Sequence, residues 1–306
     1  MEDKRKSRLK GAVAPIITVF NSDESIDEKG TIEHAKFLLE NGIQGLIVNA
    51  STGESVSMTV EERKRLAELM IRELGDKVPV CIGTGSYRTK DTIELSKHAK
   101  DIGADSIMVI VPYYMGPSKT QVLEHYKELA KSVDIPILLY DNPLATGIDM
   151  RVQEITSYFN LKLISGIKLT KYFGDPSQVH DLRYLCGEEF NIFYGADSCP
   201  LEALLCGADG WISGLLNLIP KACRSLCDAA LAGKRDEACE IWERILPLVQ
   251  FDCFLDDDRE PHWLSLIKSG LEAIGYKVGN PRKPVLPLSP EHKKKIKSIL
   301  LKIADH

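Results

Sequence analysis

Short apolar runs occur at intervals along most of the chain, and most are followed by a longer segment with apolar residues at helical spacing. Because these runs are apolar throughout instead of alternating, they indicate a parallel sheet covered by helices on both faces. Eight such units predict an α/β fold, the closed (β/α)8 TIM barrel. An open doubly wound sheet is the alternative, but no G-x-G-x-x-G fingerprint follows the first strand. The predicted strands are GAVAPIITVF (11–20), GLIVNA (45–50), VPVCIG (78–83), SIMVIVP (106–112), IPILLY (135–140), KLISGI (162–167), FNIFYG (190–195) and DGWISG (209–214).

The chain becomes helical after the eighth predicted strand. No Gly/Ser-rich linker separates this part from the strands, so we expect it to pack on the barrel. The predicted organisation is an N-terminal arm (1–10), a barrel core (11–219) and a C-terminal helical extension (220–306). The acidic segment DDDRE (256–260) is interpreted as a solvated loop rather than a cation site.

Composition narrows the class of protein. A hydrophobic content of 44% and a charged content of 27% are typical of a globular enzyme, and a net charge of −5 disfavours a nucleic-acid partner. The basic start is not followed by the apolar region of a signal peptide, and no apolar stretch reaches the ~18 residues of a membrane span. We therefore expect a cytoplasmic protein with no membrane partner.

Without C-x-x-C or H-x-x-x-H spacing, the cysteines and histidines indicate no metal site, and we expect reduced thiols.

Polar residues follow several of the predicted strands, at the end of the barrel where active sites lie. Ser51, Thr52 and the backbone at Gly53 offer hydroxyl and N–H donors suited to a carboxylate, although this segment could equally be a loop with a helix cap. Tyr114 follows the fourth strand, and Tyr140 ends the fifth. Tyrosines at two separate strand ends favour a functional site over simple packing.

Lys168 ends the sixth apolar run, where a solvated charge is not expected. An amine removed from water loses its proton more readily, and the neutral amine can attack a ketone to form a Schiff base. Tyr140 on the neighbouring strand could carry protons during this reaction. The alternative is a lysine paired with an acid such as Asp197, and the spacing alone does not decide between the two.

Five motifs occur along the chain in a fixed order: GAVAPIITVF, STGES, PYY, YDNP and GIK. Together they resemble the dihydrodipicolinate synthase/N-acetylneuraminate lyase family of class I aldolases, from about Gly11 to Gly275. The resemblance implies a (β/α)8 barrel with a helical C-terminal extension, assembled as a homotetramer (a dimer of dimers). It also implies that the substrates are pyruvate or another 2-oxo acid and an aldehyde, and that no cofactor is used.

The resemblance also implies roles for individual residues. Lys168 would form the Schiff base with pyruvate, and Tyr140 would transfer protons. Ser51 and Thr52 match a hydroxyl pair that holds the keto-acid carboxylate and relays protons. Tyr114 matches a tyrosine that reaches across the tight dimer interface of the synthases. The implied catalytic residues are thus Lys168, Tyr140, Tyr114 and Thr52, and the substrate-binding residues are Ser51, Thr52, Gly53, Ile212 and Asp197.

Two departures from the family pattern concern the second substrate. Synthases that use aspartate semialdehyde carry an arginine in a P-S-R-T-G segment, whereas NPLATG has Ala145 in its place and lacks that charge-assisted contact. Sialic acid lyases typically place Asp-Glu after strand seven; here GADS keeps Asp197 but has Ser198 instead of the glutamate. The apolar segment is closer to the P-x-A-T-G of 2-keto-3-deoxy sugar acid aldolases.

We therefore predict a Schiff-base lyase that acts on a pyruvate-yielding 2-oxo acid, most similar to the sugar acid aldolases. One alternative is 4-hydroxy-tetrahydrodipicolinate synthase, with Arg259 or Arg282 replacing the missing arginine. Others are a family dehydratase or deaminase using the same lysine, and a non-catalytic 2-oxo acid sensor. A metal-dependent class II aldolase is disfavoured because metal ligands do not cluster in the sequence.

Overall fold

The computed structural model describes residues 9–170, 175–253 and 262–304. Its eight strands are parallel and form a closed barrel in sequence order, with β8 pairing back onto β1. The predicted (β/α)8 fold is therefore confirmed. The strands are β1 (Gly11–Pro15), β2 (Gly45–Val48), β3 (Val80–Gly83), β4 (Ser106–Ile110), β5 (Ile137–Asp141), β6 (Gly166–Leu169), β7 (Asn191–Tyr194) and β8 (Gly210–Ile212).

Helices connect the strands and continue after the last one. Local sequence sets where several of them begin: Thr59 and Glu62 form a reciprocal capping box at the start of α2, and Asp27 caps α1 by accepting from the N–H of Gly30. The helices are α1 (Glu28–Glu40), α2 (Val60–Leu74), α3 (Thr89–Asp101), α4 (Lys119–Ser132), α5 (Pro143–Thr146), α6 (Val152–Asn160), α7 (Ser177–Cys186), α8 (Pro200–Leu205), α9 (Pro220–Leu231), α10 (Arg235–Cys253), α11 (Trp263–Ala273) and α12 (Pro290–Ala304).

The apolar side chains form two cores. One lies between the strands and the surrounding helices, and a smaller one fills the barrel interior. Because successive strand residues point to opposite faces, each strand must be apolar on both faces to supply the two cores. Residues of the interior core include Val13, Ile47, Cys81, Met108, Leu138, Tyr140, Phe193 and Ile212.

The sixth strand differs from its prediction. The predicted strand spans 162–167 with Lys168 following it, whereas β6 begins at Gly166 and includes Lys168. Lys162 adopts a left-handed backbone with φ of 58°, which makes the chain turn after α6 before the strand begins. Leu163 and Ile164 are buried in this connection, so their apolar character reflects packing and not strand structure.

The C-terminal helices pack in sequence on the barrel. α9 contacts β1, α10 packs on α9, and α11 packs on a 3-10 turn at Gly214–Asn217 that directly follows β8. α11 therefore lies near the C-terminal ends of the strands. The division into a core and an extension stays a prediction, and the DDDRE segment lies outside the described residues, as does most of the N-terminal arm.

Two kinds of feature are absent from the described residues. None of their helices has both the length and the apolar character required to cross a bilayer. Within the same ranges, no three His, Cys, Asp or Glu side chains come together in a way that could hold a metal ion. The cytoplasmic location stays a prediction.

A buried histidine joins α1 to the barrel. Nε2 of His34 lies 2.9 Å from Oδ1 of Asn217, which also accepts a hydrogen bond from the N–H of Ile17. Nδ2 of Asn217 donates to the carbonyl of Pro15 at 3.0 Å. Burial lowers the pKa of His34 from 6.5 to about 4, so the ring is neutral in the folded protein near pH 7.

We expect this histidine to make the protein sensitive to acid. The folded pKa lies below the unfolded value, so the stabilising contribution is complete above pH 6.5 and is lost as the pH falls towards 4. At about 1.4 kcal/mol per pKa unit, the loss is ~3 kcal/mol. Urea unfolding between pH 7 and pH 4.5 should show a smaller decrease in unfolding free energy for His34→Gln than for the wild type. The control is His180→Gln, which replaces an exposed histidine. If the unfolding free energy of His34→Gln falls with pH as steeply as that of the wild type, His34 is not the source of the acid sensitivity.

Candidate active site

Lys168 and Tyr140 occupy neighbouring positions near the C-terminal ends of β6 and β5. The two residues are paired in the parallel register, and each is only 6% exposed. Nζ of Lys168 lies 4.3 Å from the centroid of the Tyr140 ring. The Tyr140 hydroxyl accepts a hydrogen bond of 2.9 Å from Nδ2 of Asn142. The structure thus brings the predicted amine and the predicted phenol together inside the barrel.

The Lys168 side chain packs against a glycine that directly follows the neighbouring strand β7. A Cβ on Gly195 would lie 2.5 Å from Cε of Lys168 and 2.2 Å from Oγ1 of Thr170. Both distances are too short for any side chain at this position without displacement. Gly195, immediately after β7, therefore allows the Lys168 stem to extend across the barrel mouth.

Asp197 lies near the lysine, after β7. Burial raises the pKa of Asp197, while a hydrogen bond from Ser213 and the charge of Lys168 partly oppose this shift. No direct ion pair between Lys168 and Asp197 occurs in the described part of the chain. Asp252 on α10 is close enough for its own pKa to be raised, first by burial and then by the charge of Asp197. Both carboxyls therefore retain a proton to higher pH than an exposed aspartate does.

The segment after β2 forms a tight turn that holds Thr52. The N–H of Gly53 donates to the carbonyl of Ala50 at 3.0 Å, and the N–H of Glu54 donates to the carbonyl of Ser51 at 2.9 Å. Thr52 is 6% exposed. A Cβ on Gly53 would lie 2.9 Å from the carbonyl oxygen of Ile16, so the turn packs against the residue that follows β1. The Ser51 and Thr52 hydroxyl groups thus lie together in the turn at the end of β2, whereas the N–H groups of Gly53 and Glu54 donate within the turn itself. The carboxylate site stays a prediction.

Tyr114 and Ile212 have contrasting environments. Tyr114 is 89% exposed and adopts φ of 65°, a left-handed conformation that is uncommon for a tyrosine. Within one chain it is therefore not brought together with Lys168. Ile212 is fully buried in β8 and belongs to the interior core of the barrel.

Three residues that neighbour Tyr140, Lys168 or Asp197 were not predicted from sequence. Asn142 lies inside the YDNP motif, and Gly195 directly follows a predicted strand, so their strand-end positions were the available signal. Asp252 is on the C-terminal helix α10, and no sequence pattern links it to Asp197.

The environment of the apolar NPLATG segment bears on substrate choice. Ala145 is exposed on the short helix α5, and its N–H donates to Oδ1 of Asn142 at 3.3 Å. Arg282, one candidate for a replacement arginine, is engaged elsewhere: its guanidinium pairs with Glu62 and lies 4.4 Å from the ring centroid of Phe20. The other candidate, Arg259, lies outside the described residues.

Comparisons with known proteins agree with this architecture. The model of the dihydrodipicolinate synthetase family matches residues 8–303. A 4-hydroxy-tetrahydrodipicolinate synthase from Methanothrix thermoacetophila is 34% identical over 298 residues, which are 97% of this chain and 98% of that protein. A prophage protein from E. coli K12, described as a dihydrodipicolinic acid synthase family member in complex with pyruvate, has a TM-score of 0.89 at 30% identity. That alignment covers 97% of this chain and 99% of the other.

A further solved structure is the chloride-inhibited dihydrodipicolinate synthase from Acinetobacter baumannii, complexed with pyruvate. Its TM-score is 0.87 at 28% identity, and the alignment covers 97% of this chain and 99% of that chain. Together these matches confirm the resemblance carried by the five sequence motifs.

Proposed function

The chain belongs to the dihydrodipicolinate synthetase family of class I, Schiff-base lyases, and we propose that Lys168 is its Schiff-base residue. The substrate would be pyruvate or the keto end of a pyruvate-yielding 2-oxo acid. The observation that carries this proposal is the nearly buried Lys168 amine, 4.3 Å from the ring centroid of Tyr140. Solved relatives in complex with pyruvate support the choice of substrate class.

The proposed reaction uses two side chains in turn. The neutral amine of Lys168 attacks the ketone carbon, and the resulting carbinolamine loses water to give an iminium. The iminium accepts the electron pair of the carbon–carbon bond that breaks, and the aldehyde product leaves. Tyr140 donates and accepts the protons of these steps, with its hydroxyl oriented by Asn142. Cleavage leaves an enamine on Lys168, and protonation of its terminal carbon restores the iminium. Water then attacks this iminium, which releases pyruvate and restores the amine.

The turn after β2 is proposed to hold the keto-acid carboxylate. Thr52 and Ser51 offer hydroxyl groups, and the backbone at Gly53 belongs to the same turn. Ile212 would form an apolar wall of the pocket, and Asp197, with its raised pKa, a hydrogen-bonding group for substrate hydroxyls. Tyr114 would complete the proton relay only from a partner subunit, since its side chain is 89% exposed in one chain.

Treatment of the protein with pyruvate and sodium borohydride tests the proposal directly. Reduction of the iminium should add a stable mass to the peptide that contains Lys168. A non-catalytic sensor and a metal-dependent aldolase would both remain unlabelled, so the absence of added mass would refute the proposed function.

For the second substrate, we propose a 2-keto-3-deoxy sugar acid aldolase-like activity. Ala145 stands where an arginine would hold an anionic aldehyde, and Arg282 is held by Glu62. Among the described residues, neither position thus supplies a guanidinium for a second carboxylate. A site without such a group does not favour aspartate semialdehyde.

We expect measurable cleavage of one or more 2-keto-3-deoxy sugar acids and weak condensation of pyruvate with aspartate semialdehyde. Steady-state assays of both reactions provide the measurement. Ala145→Arg should raise the condensation rate relative to cleavage, because it adds a charge-assisted contact on an exposed helix. Leu144→Arg, one residue earlier on α5 and also exposed, is the matched control.

The second candidate function is 4-hydroxy-tetrahydrodipicolinate synthase, the activity for which relatives such as that of Methanothrix thermoacetophila, at 34% identity, are named. If kcat/KM for aspartate semialdehyde exceeds that for every sugar acid tested, this candidate replaces the aldolase.

We propose that the protein assembles as a homotetramer. Large side chains are exposed on loops and a short helix at the C-terminal ends of the strands, as is typical of a protein interface. They include Tyr87, Tyr114, Met115 and Leu144. Analytical ultracentrifugation is expected to give four times the mass of one chain, and a stable monomer at micromolar concentration would contradict the proposal.

A further inference from the structure

A buried ion pair connects the C-terminal extension to the turn after β2. Nζ of Lys268 on α11 lies 2.6 Å from Oε1 of Glu54, and their side chains are 1% and 4% exposed. Burial lowers the pKa of Lys268, and the charge of Glu54 opposes this shift. Glu54 is two residues after Thr52, the residue proposed to hold the substrate carboxylate. A charged pair so fully removed from water is costly to break.

A second contact fixes the other carboxylate oxygen of Glu54. Oε2 accepts a hydrogen bond of 2.7 Å from the backbone N–H of Arg282, which lies beyond α11. The guanidinium of Arg282 pairs with Glu62 near the start of α2, just after the turn. Nζ of Lys268 and Cζ of Arg282 each lie 4.4 Å from the ring centroid of Phe20. The extension thus contacts the turn and the helix that follows it.

The backbone conformation of Glu54 is one that needs such contacts to stabilise it. Its φ of 60° is left-handed, and such a conformation persists in a glutamate only when its surroundings hold it. The same turn fixes the preceding residues, because the N–H of Glu54 bonds to the carbonyl of Ser51. Packing also extends to this site: a Cβ on Gly214 would lie 2.5 Å from Cδ1 of Ile267 and 3.7 Å from Cγ2 of Thr52.

We propose that Lys268 is a positioning residue that acts through Glu54 to hold Ser51 and Thr52 in place for the substrate carboxylate. The inference rests on the proposed function of the turn. It gives the C-terminal extension a part in substrate binding, although Lys268 itself touches no substrate.

A double-mutant cycle separates positioning from simple charge balance. If the pair only neutralises two buried charges, removing both charges should restore binding. If it holds the turn, the double variant Glu54→Gln/Lys268→Met remains impaired, because the anchor is still missing. The readout is the pyruvate concentration that gives half-maximal borohydride labelling of the intact protein.

We expect Lys268→Met and the double variant to raise this concentration about 10- to 100-fold, the range for loss of a hydrogen bond to a charged group. Maximal labelling should remain close to that of the wild type. Lys293→Met removes a partly exposed ion pair with Glu272 in the same extension and should change the value less than about twofold. If Lys268→Met does not fold, as judged by circular dichroism, the nearly isosteric Glu54→Gln takes its place.

The failures of the two proposals are distinguishable. A wild-type protein that is not labelled refutes the proposed function and this inference with it. If the wild type is labelled and Lys268→Met has the wild-type half-saturating pyruvate concentration, only the inference is refuted. Where Lys268→Met does not fold, the same result in Glu54→Gln leads to the same conclusion. If the single variants are impaired but the double variant has the wild-type half-saturating pyruvate concentration, the pair serves only to balance two buried charges. This result also overturns the inference.

Discussion

Lys168→Ala is expected to abolish both turnover and borohydride labelling by pyruvate. The substitution removes the only atom of this residue that can form the covalent bond to the ketone carbon, so no iminium can accept electrons. Removal of a covalent nucleophile commonly costs several orders of magnitude in kcat, more than the loss of a single proton donor or positioning contact. Mass spectrometry of the reduced protein and a pyruvate-release assay provide the two measurements.

Two further variants make this result specific. Lys168→Met keeps an unbranched side chain across Gly195 and avoids the cavity that alanine would leave inside the barrel, so its loss of activity cannot be attributed to poor packing. Lys171→Ala replaces the next lysine along the chain and should retain labelling and turnover. Labelling that persists in Lys168→Ala, or that disappears in Lys171→Ala, would show that another lysine is the nucleophile.

The sequence was sufficient to predict the barrel because each of its strands lies between two cores. Runs such as GLIVNA and SIMVIVP are apolar on both faces, and this feature distinguishes a parallel barrel from an antiparallel sheet. The first strand was predicted at twice its observed length, 11–20 instead of Gly11–Pro15, and the sixth strand was misplaced. Its predicted range included Leu163 and Ile164, which are buried in a connection, and apolarity alone does not distinguish that from a strand.

The candidate site could be predicted in part. Lys168 and Tyr140 were predicted near the ends of adjacent strands, and the parallel register pairs them. Other contacts depend on tertiary packing between segments that are distant in sequence. Nothing in the STGES motif indicates that Glu54 pairs with Lys268, and nothing in α10 indicates that Asp252 lies near Asp197. Such contacts arise only when the C-terminal helices dock on the barrel mouth.

Tyr140→Phe is expected to lower kcat by ~10²–10⁴-fold while pyruvate still binds. The substitution removes one oxygen and keeps the ring that lies 4.3 Å from Nζ of Lys168, so the shape of the pocket is preserved. The hydroxyl that accepts from Asn142 is lost, and no proton donor then remains at that position. The measurement is a comparison of kcat with the pyruvate concentration for half-maximal borohydride labelling, which should stay near its wild-type value.

Tyr126→Phe is the matched control for this substitution. Tyr126 is fully buried on α4, and its hydroxyl donates to the carbonyl of Val109 at 2.8 Å. Removing this hydroxyl costs about 1 kcal/mol of stability, the usual contribution of a buried hydrogen bond, and should leave kcat unchanged. If Tyr140→Phe instead raises KM with an unchanged kcat, the phenol contributes to binding alone. Proton transfer at the carbinolamine must then be assigned to another group near Lys168. Asp197 is the first candidate, because burial raises its pKa to about 6, closer to neutral pH than that of an exposed aspartate.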